Sequence, residues 1–249
     1  AARARAVEDP STLSTGPRAE HLALDWTIDF ARRRIRGSVS YRVRVGRDAV
    51  TGAPLATRFV VDTSGGLEIF GATVDGSARR VHWGPPHPVF GRSASVDLDL
   101  SAEKPTLEAA TTTPHSTTVH TVRFEYETGA ACTAAQWLEP AQTADGGRPY
   151  MFTQSQAIHA RSLLPCQDSP GRKLTWEGTI RAPRWATVLA SALLVHETRA
   201  SDEVTTRWRQ PVPTSTYLIA VACGALVSRE LSPRCRVWAE SSVVDKAAV

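Results

Sequence analysis

"HLALDWTIDF", residues 21–30, decides the fold. Leu22, Leu24, Trp26, Ile28 and Phe30 alternate with polar or small residues, which puts all five on one face of an extended strand. A helix would scatter them. "SVSYRVRV", residues 38–45, repeats the alternation with Val39, Tyr41, Val43 and Val45, after an arginine-rich turn, "ARRRIRG", closed by Gly37. The pair reads as a hairpin. Working outward, the same period recurs in "TRFVVDT", "EIFGATV" ending in Asp75-Gly76, "SVDLDL", "VHTVRFEYE", "KLTWEGTIRAP", "ATVLAS", "TTRWRQPV" and "YLIAVACGAL". Breaker clusters such as "TSGG", "DGSA", "WGPPHP" and "ADGGRP" separate the runs. No convincing helical period occurs before residue 240. The expectation is an all-β domain, a β-sandwich or one large curved sheet, rather than two separate domains.

A chain of 249 residues with 42% apolar content can bury a real core. Its longest apolar runs, from Trp185 and Tyr217, are about half the ~20 residues a membrane-spanning helix needs. No membrane partner is expected. The net charge of +4 invites a nucleic-acid reading, but arginines are sprinkled among acidic residues along the whole chain. The densest cluster, residues 31–37, is read as a solvated turn, so no nucleic-acid partner is expected. Four cysteines, Cys132, Cys166, Cys223 and Cys235, lie too far apart for a C-x-x-C motif, and are read as reduced thiols of a cytoplasmic protein. Residues 1–16 are read as a polar tail or surface segment.

Metal chemistry finds no motif. Of seven histidines, His196 opens a His-Glu dipeptide, but Ala200 stands where H-E-x-x-H needs its second histidine. His82/His87 and His115/His120 are each five apart and share no helical face, so a surface role is expected for them. There is no G-x-S-x-G elbow, phosphate loop or dinucleotide fingerprint. Cys166 is read as structural, Arg161 being the one basic residue near it.

One segment stands apart: "MFTQSQAIHARSLLPCQDSP", residues 151–170, keeps neither period throughout. Gln154 and Gln156, two apart on an extended chain, share the side of Phe152, with Ser155 and Ala157 on the other. Paired amides offer donors and acceptors suited to holding a peptide or an amine. On the residues alone, a polar strand edge or a buried amide pair is the simpler reading.

This segment resembles the zinc aminopeptidases grouped with leukotriene A4 hydrolase and aminopeptidase B. The likeness runs in order through "HLALDWTIDFARRRIRGSVSYRV", "AAQWLEPAQTADGGRPYMF", "FTQSQAIHARSLLPCQDSPGRKLTW", "VPTSTYLIAVACGALVSREL" and "SPRCRVWAE", nearer to leukotriene A4 hydrolase through "QAIHARSLLPCQD". The resemblance implies a saddle-like β domain over residues 17–228, followed over 229–249 by the beginning of a truncated α/β catalytic domain. It implies that Gln154, Gln156 and Ala157 line the subsites for a substrate's N-terminal residue, with Gln156 near the free amine and Gln154 in the side-chain pocket. The partners it implies are a peptide with a free N-terminus and the protein's own catalytic domain.

The family's zinc ligands, its general base and its G-x-M-E-N loop have no counterpart here: the chain contains no asparagine, and its one methionine is Met151. The expectation is therefore no catalytic residue and no bound metal in this chain, zinc belonging to a full-length parent that could also open a lipid epoxide. The competing expectation is a free-standing, non-catalytic β module that binds peptides or a protein partner. A face left bare of its catalytic domain should expose an apolar patch.

Overall fold

A computed structural model describes residues 9–48, 51, 53–99 and 117–249. In chain order its strands are β1 (Ala19–Asp29), β2 (Arg34–Gly46), β3 (Arg58–Thr63), β4 (Glu68–Val74), β5 (Ser77–Ala78), β6 (His82–Trp83), β7 (Arg92–Asp97), β8 (Thr117–Glu127), β9 (Ala135–Leu138) and β10 (Tyr150–Thr153). A one-turn helix, α1 (Ala160–Leu163), precedes β11 (Leu174–Pro183), β12 (Thr187–Ala190), β13 (Leu193–Arg199), β14 (Glu203–Thr214), β15 (Val221–Gly224), β16 (Val227–Ser232), β17 (Cys235–Ala239) and a second short helix, α2 (Val244–Ala247). The architecture is all-β.

The hairpin of β1 and β2 is the centre of an eight-stranded sheet ordered β13-β14-β11-β1-β2-β8-β4-β5. Its alternating residues do what their period requires. Leu22, Leu24, Trp26 and Ile28 of β1, Val39, Tyr41, Val43 and Val45 of β2, and Val122, Phe124 and Tyr126 of β8 are all buried on one side. Each such side chain contributes roughly 1.5–3 kcal/mol. The polar tips carried inward find partners: Trp26 Nε1 donates to Tyr126 Oη at 2.6 Å, and Tyr41 Oη donates to the Pro165 carbonyl at 2.6 Å. β1 also pairs with β11 in parallel, Leu24 opposite Gly178. A three-stranded sheet, β3-β7-β6, and a four-stranded sheet, β12-β15-β10-β9, add Phe59, Val61, Val96, Met151, Val188 and Val221 to the same buried cluster.

Three local expectations change. The turn after β1 spans Phe30–Arg33, and Gly37 lies inside β2, not at the turn's end. Gly37 faces Trp26 where a Cβ would overlap the Asp25 carbonyl oxygen, so close approach of the strands explains the glycine. Phe30 leaves the strand with the turn and packs against Trp137 and Trp185. The run from Tyr217 to Leu226 is not one strand: Thr216–Leu218 is a 3-10 turn, and β15 covers Val221–Gly224. Thr216 Oγ1 and Ser215 Oγ are bound to Asp168 and to the Pro170 carbonyl, which bends the chain before the strand can start.

Asp75-Gly76 behaves as its chemistry demands, both residues having positive φ (51° and 83°) in the tight turn between β4 and β5. In the arginine-rich turn, Arg32 is paired bidentately with Glu127 and Arg33 with Glu139. Of the polar N-terminal stretch, residues 1–8 lie outside the described residues, and Asp9–Ser14 is bonded to the body of the domain at Asp62 and Ser169. The boundary placed after Ser228 falls within β16, which forms a hairpin with β17. Exposed apolar side chains gather on the outer strand β13 (Leu193, Leu194, Val195) and at Val212 of β14, a different sheet from the one that leads to the glutamines.

Candidate functional site

β10 sits inside the four-stranded sheet, between β9 (Phe152 opposite Gln136) and β15 (Phe152 opposite Ala222). Its alternation is plain: Met151 and Thr153 are buried, while Tyr150 and Phe152 are half-buried on the other face, their rings stacked 5.9 Å apart. Gly224 of β15 leaves room for the Tyr150 ring, which a Cβ there would strike. Half-buried Leu138, Leu189 and Ala222 complete an apolar face with the two rings.

The glutamines continue that face beyond the strand's end. The Gln154 N–H donates to the Ala134 carbonyl at 2.8 Å, adding one more rung to the ladder with β9. Gln154 is exposed, Ser155 is buried, and Gln156 is exposed again, so the two-residue period holds to Gln156. There the chain turns. Ala157 is exposed as well, and the His159 N–H closes the turn on the Ser155 carbonyl at 2.9 Å. Among the described residues neither glutamine side chain has a hydrogen-bond partner, so both amides are open to a ligand.

Beyond the turn the environment reverses. Arg161, in α1, is fully buried, and its guanidinium is bonded at every nitrogen: Nε to Asp168 Oδ2 (3.1 Å), Nη1 to the Phe90 carbonyl (2.9 Å), and Nη2 to the Ser11 and Asp168 carbonyls (2.9 and 3.0 Å). Burial pushes the Asp168 carboxyl above its ordinary value, and the Arg161 charge opposes that shift. Ser162 Oγ accepts from the Ala134 N–H and donates to the His159 carbonyl, while the His159 ring lies against Thr133 Oγ1 at 2.7 Å. Sequence reasoning treated Arg161 only as a neighbour of Cys166. The available signal was its setting, a charged residue within "HARSLLPC", which if buried must be paired.

Cys166 is buried, and burial, reinforced by Asp168 and Asp62, drives its thiol far above the ordinary value, which makes it inert. The surface reading of the histidines fails at His120. It is buried opposite Val43, with Nδ1 2.9 Å from Asp75 Oδ2, because its place on β8 points inward. His82 is bonded to Asp97 at 2.9 Å, His87 stacks on Phe90, and His115 lies outside the described residues. Among the described residues no group of three His, Cys, Asp or Glu side chains could hold a metal ion. The zinc that the resemblance places in a full-length parent finds no set of ligands among these described residues.

The fold is an all-β body in which an amide-bearing strand end adjoins an apolar face. The chain belongs to the family described as the Peptidase M1 N-terminal domain, whose model matches residues 89–218. It is 34% identical over 244 residues to leucine aminopeptidase 2 of Phaeosphaeria nodorum, covering 94% of this chain and 36% of that protein. To leukotriene A-4 hydrolase of Xenopus laevis it is 31% identical, covering 96% of this chain and 37% of the relative. The native yeast LTA4 hydrolase structure superposes with a TM-score of 0.80 at 29% identity, over 98% of this chain and 35% of that one. An M1 zinc metallopeptidase from Deinococcus radiodurans shares the fold, with a TM-score of 0.58 at 22% identity, over 90% of this chain and 46% of that one. The chain thus spans about a third of the length of the curated relatives it matches.

Proposed function

We propose that this chain is the substrate-lining N-terminal domain of a zinc aminopeptidase, with Gln154, Gln156 and Ala157 as its substrate-contacting residues. The observation that carries the reading is the pair of exposed amides at the end of β10, without partners among the described residues and continuous with the half-buried face of Tyr150 and Phe152. Gln156 holds the free α-amine or adjoining backbone of a peptide, and Gln154 lines the pocket for its first side chain. The face of Tyr150, Phe152, Leu138 and Leu189 docks the protein's own catalytic domain, which supplies the zinc and the general base. A cytoplasmic location belongs to the same proposal and is supported by four cysteines that are all free thiols.

Reading the coding sequence beyond Val249 tests the assignment, since G-x-M-E-N and H-E-x-x-H must come next in that order. A stop codon directly after Val249 would favour the free-standing peptide-binding module instead. In a longer protein that carries the motifs, Gln156→Ala should raise KM for substrates with a free N-terminus. An unchanged KM would remove Gln156 from the site.

A further inference from the structure

The turn that carries the glutamines leads at once into α1, and α1 is tied to a segment about 150 residues earlier in the chain. Asp62, in β3, is fully buried, and its carboxylate accepts four hydrogen bonds. Three come from the N-terminal segment: Thr12 Oγ1 at 2.6 Å, the Leu13 N–H at 2.6 Å and Ser14 Oγ at 2.8 Å. The fourth is the Asp168 N–H at 3.0 Å. A buried carboxylate stripped of its donors is strongly disfavoured, so Asp62 and the segment depend on each other.

The connections close into a ring. Asp168 receives the Arg161 N–H and Nε on Oδ2, and Arg161 Nη2 returns to the N-terminal segment at the Ser11 carbonyl. A second tie runs beside it, because the Arg161 carbonyl accepts the Ser64 N–H, two residues from Asp62. Ser169 Oγ also donates to Asp9 Oδ2 at 2.8 Å. With Arg161 held on both backbone groups and at every guanidinium nitrogen, the turn before it has one end fixed to this ring and the other fixed at Ala134.

We infer that Asp62 is a positioning residue for the glutamine turn: through Asp168 and Arg161 it makes the placement of residues 154–159 depend on the seating of Asp9–Ser14. What that placement serves rests on the substrate-lining reading, but the coupling itself stands on the geometry alone. The N-terminal segment is then a working part of the candidate site, although among the described residues it forms no hydrogen bond with the three residues assigned to it.

Hydrogen exchange of backbone amides in the 249-residue chain tests the coupling. The variant is Thr12→Ala combined with Ser14→Ala, which removes two of the three donors and leaves the core untouched. Exchange across residues 154–163 should quicken about tenfold or more, while that of β1 and β2 stays within about twofold. Unchanged exchange at 154–163, or equal acceleration through β1 and β2, would overturn the inference. Asp62→Asn, which keeps the shape and removes the charge, should produce the same local pattern, and if it does not fold, the double variant still decides. A separate titration of the wild-type chain with a peptide, free or acetylated at its N-terminus, reads protection at 154–157. Equal response to both peptides would count against the substrate-lining reading and leave the coupling standing.

Discussion

Residues 154–157 and residues 161–169 are close in sequence and opposite in environment. The first limb presents Gln154, Gln156 and Ala157 to solvent, with no side-chain partners among the described residues. The second buries Arg161, Ser162, Gln167, Asp168 and Ser169 with nearly every polar atom satisfied. Polar residues at a surface cost the fold nothing and are free for a ligand, whereas buried ones must be matched group by group. The difference teaches that one polar segment can hold an exposed limb whose glutamines have no side-chain partners among the described residues and, a turn later, a buried structural lock.

The largest effect should come from breaking the lock. Asp168→Ala leaves the Arg161 charge buried without its carboxylate, and the loss should be about 3–5 kcal/mol, read by denaturant unfolding. That is a large share of the ~5–15 kcal/mol typical of a folded domain. A loss below ~1 kcal/mol would mean that the buried limb is not the lock. Next, Ser162→Ala strands the Ala134 N–H at the hinge between the limbs, and about 1–3 kcal/mol should be lost by the same measurement.

A smaller effect separates both limbs from the C-terminal junction. Asp145 accepts hydrogen bonds from Ser242 and Ser241, which lower its pKa from 3.8 to about 2. A depressed carboxylate stabilises above its unfolded value, so this contribution is present above pH 3.8 and fades as pH falls toward 2. NMR signals of the Ser241 and Ser242 amides should shift across that window, and their constancy would discard the clamp. The smallest effect belongs to the exposed limb: Gln154→Ala and Gln156→Ala should each change stability by less than about 0.5 kcal/mol. A drop comparable to that of Asp168→Ala would show that the two limbs are not different in kind.

Much of the architecture was legible because the strand period is local. Leu22 to Ile28 alternate in the sequence and are buried together in the structure, as do Val39 to Val45. Exposure at Gln154 and Gln156 on either side of buried Ser155 keeps the same two-residue period, which ends where the chain turns and Ala157, expected on the side of Ser155, is exposed too. Asp62, Arg161 and Asp168 were not, because their meaning lies in pairings with residues 12–14, 90 and 216 that no local pattern contains. Gly37 misled in a related way, its breaker chemistry suggesting a turn where the neighbouring strand's closeness was the cause.

By itself the sequence determined the alternation of β1, β2, β8 and β11 and the tight turn at Asp75-Gly76, since backbone geometry over a few residues dictates them. Only the tertiary structure decided that β1 lies parallel to β11, that His120 points inward, and that Arg161 is enclosed with Asp168 while Gln156 is not. Burial depends on what arrives from across the chain. A side chain's partners are set by packing between segments far apart in sequence, and no window of neighbouring residues carries that information.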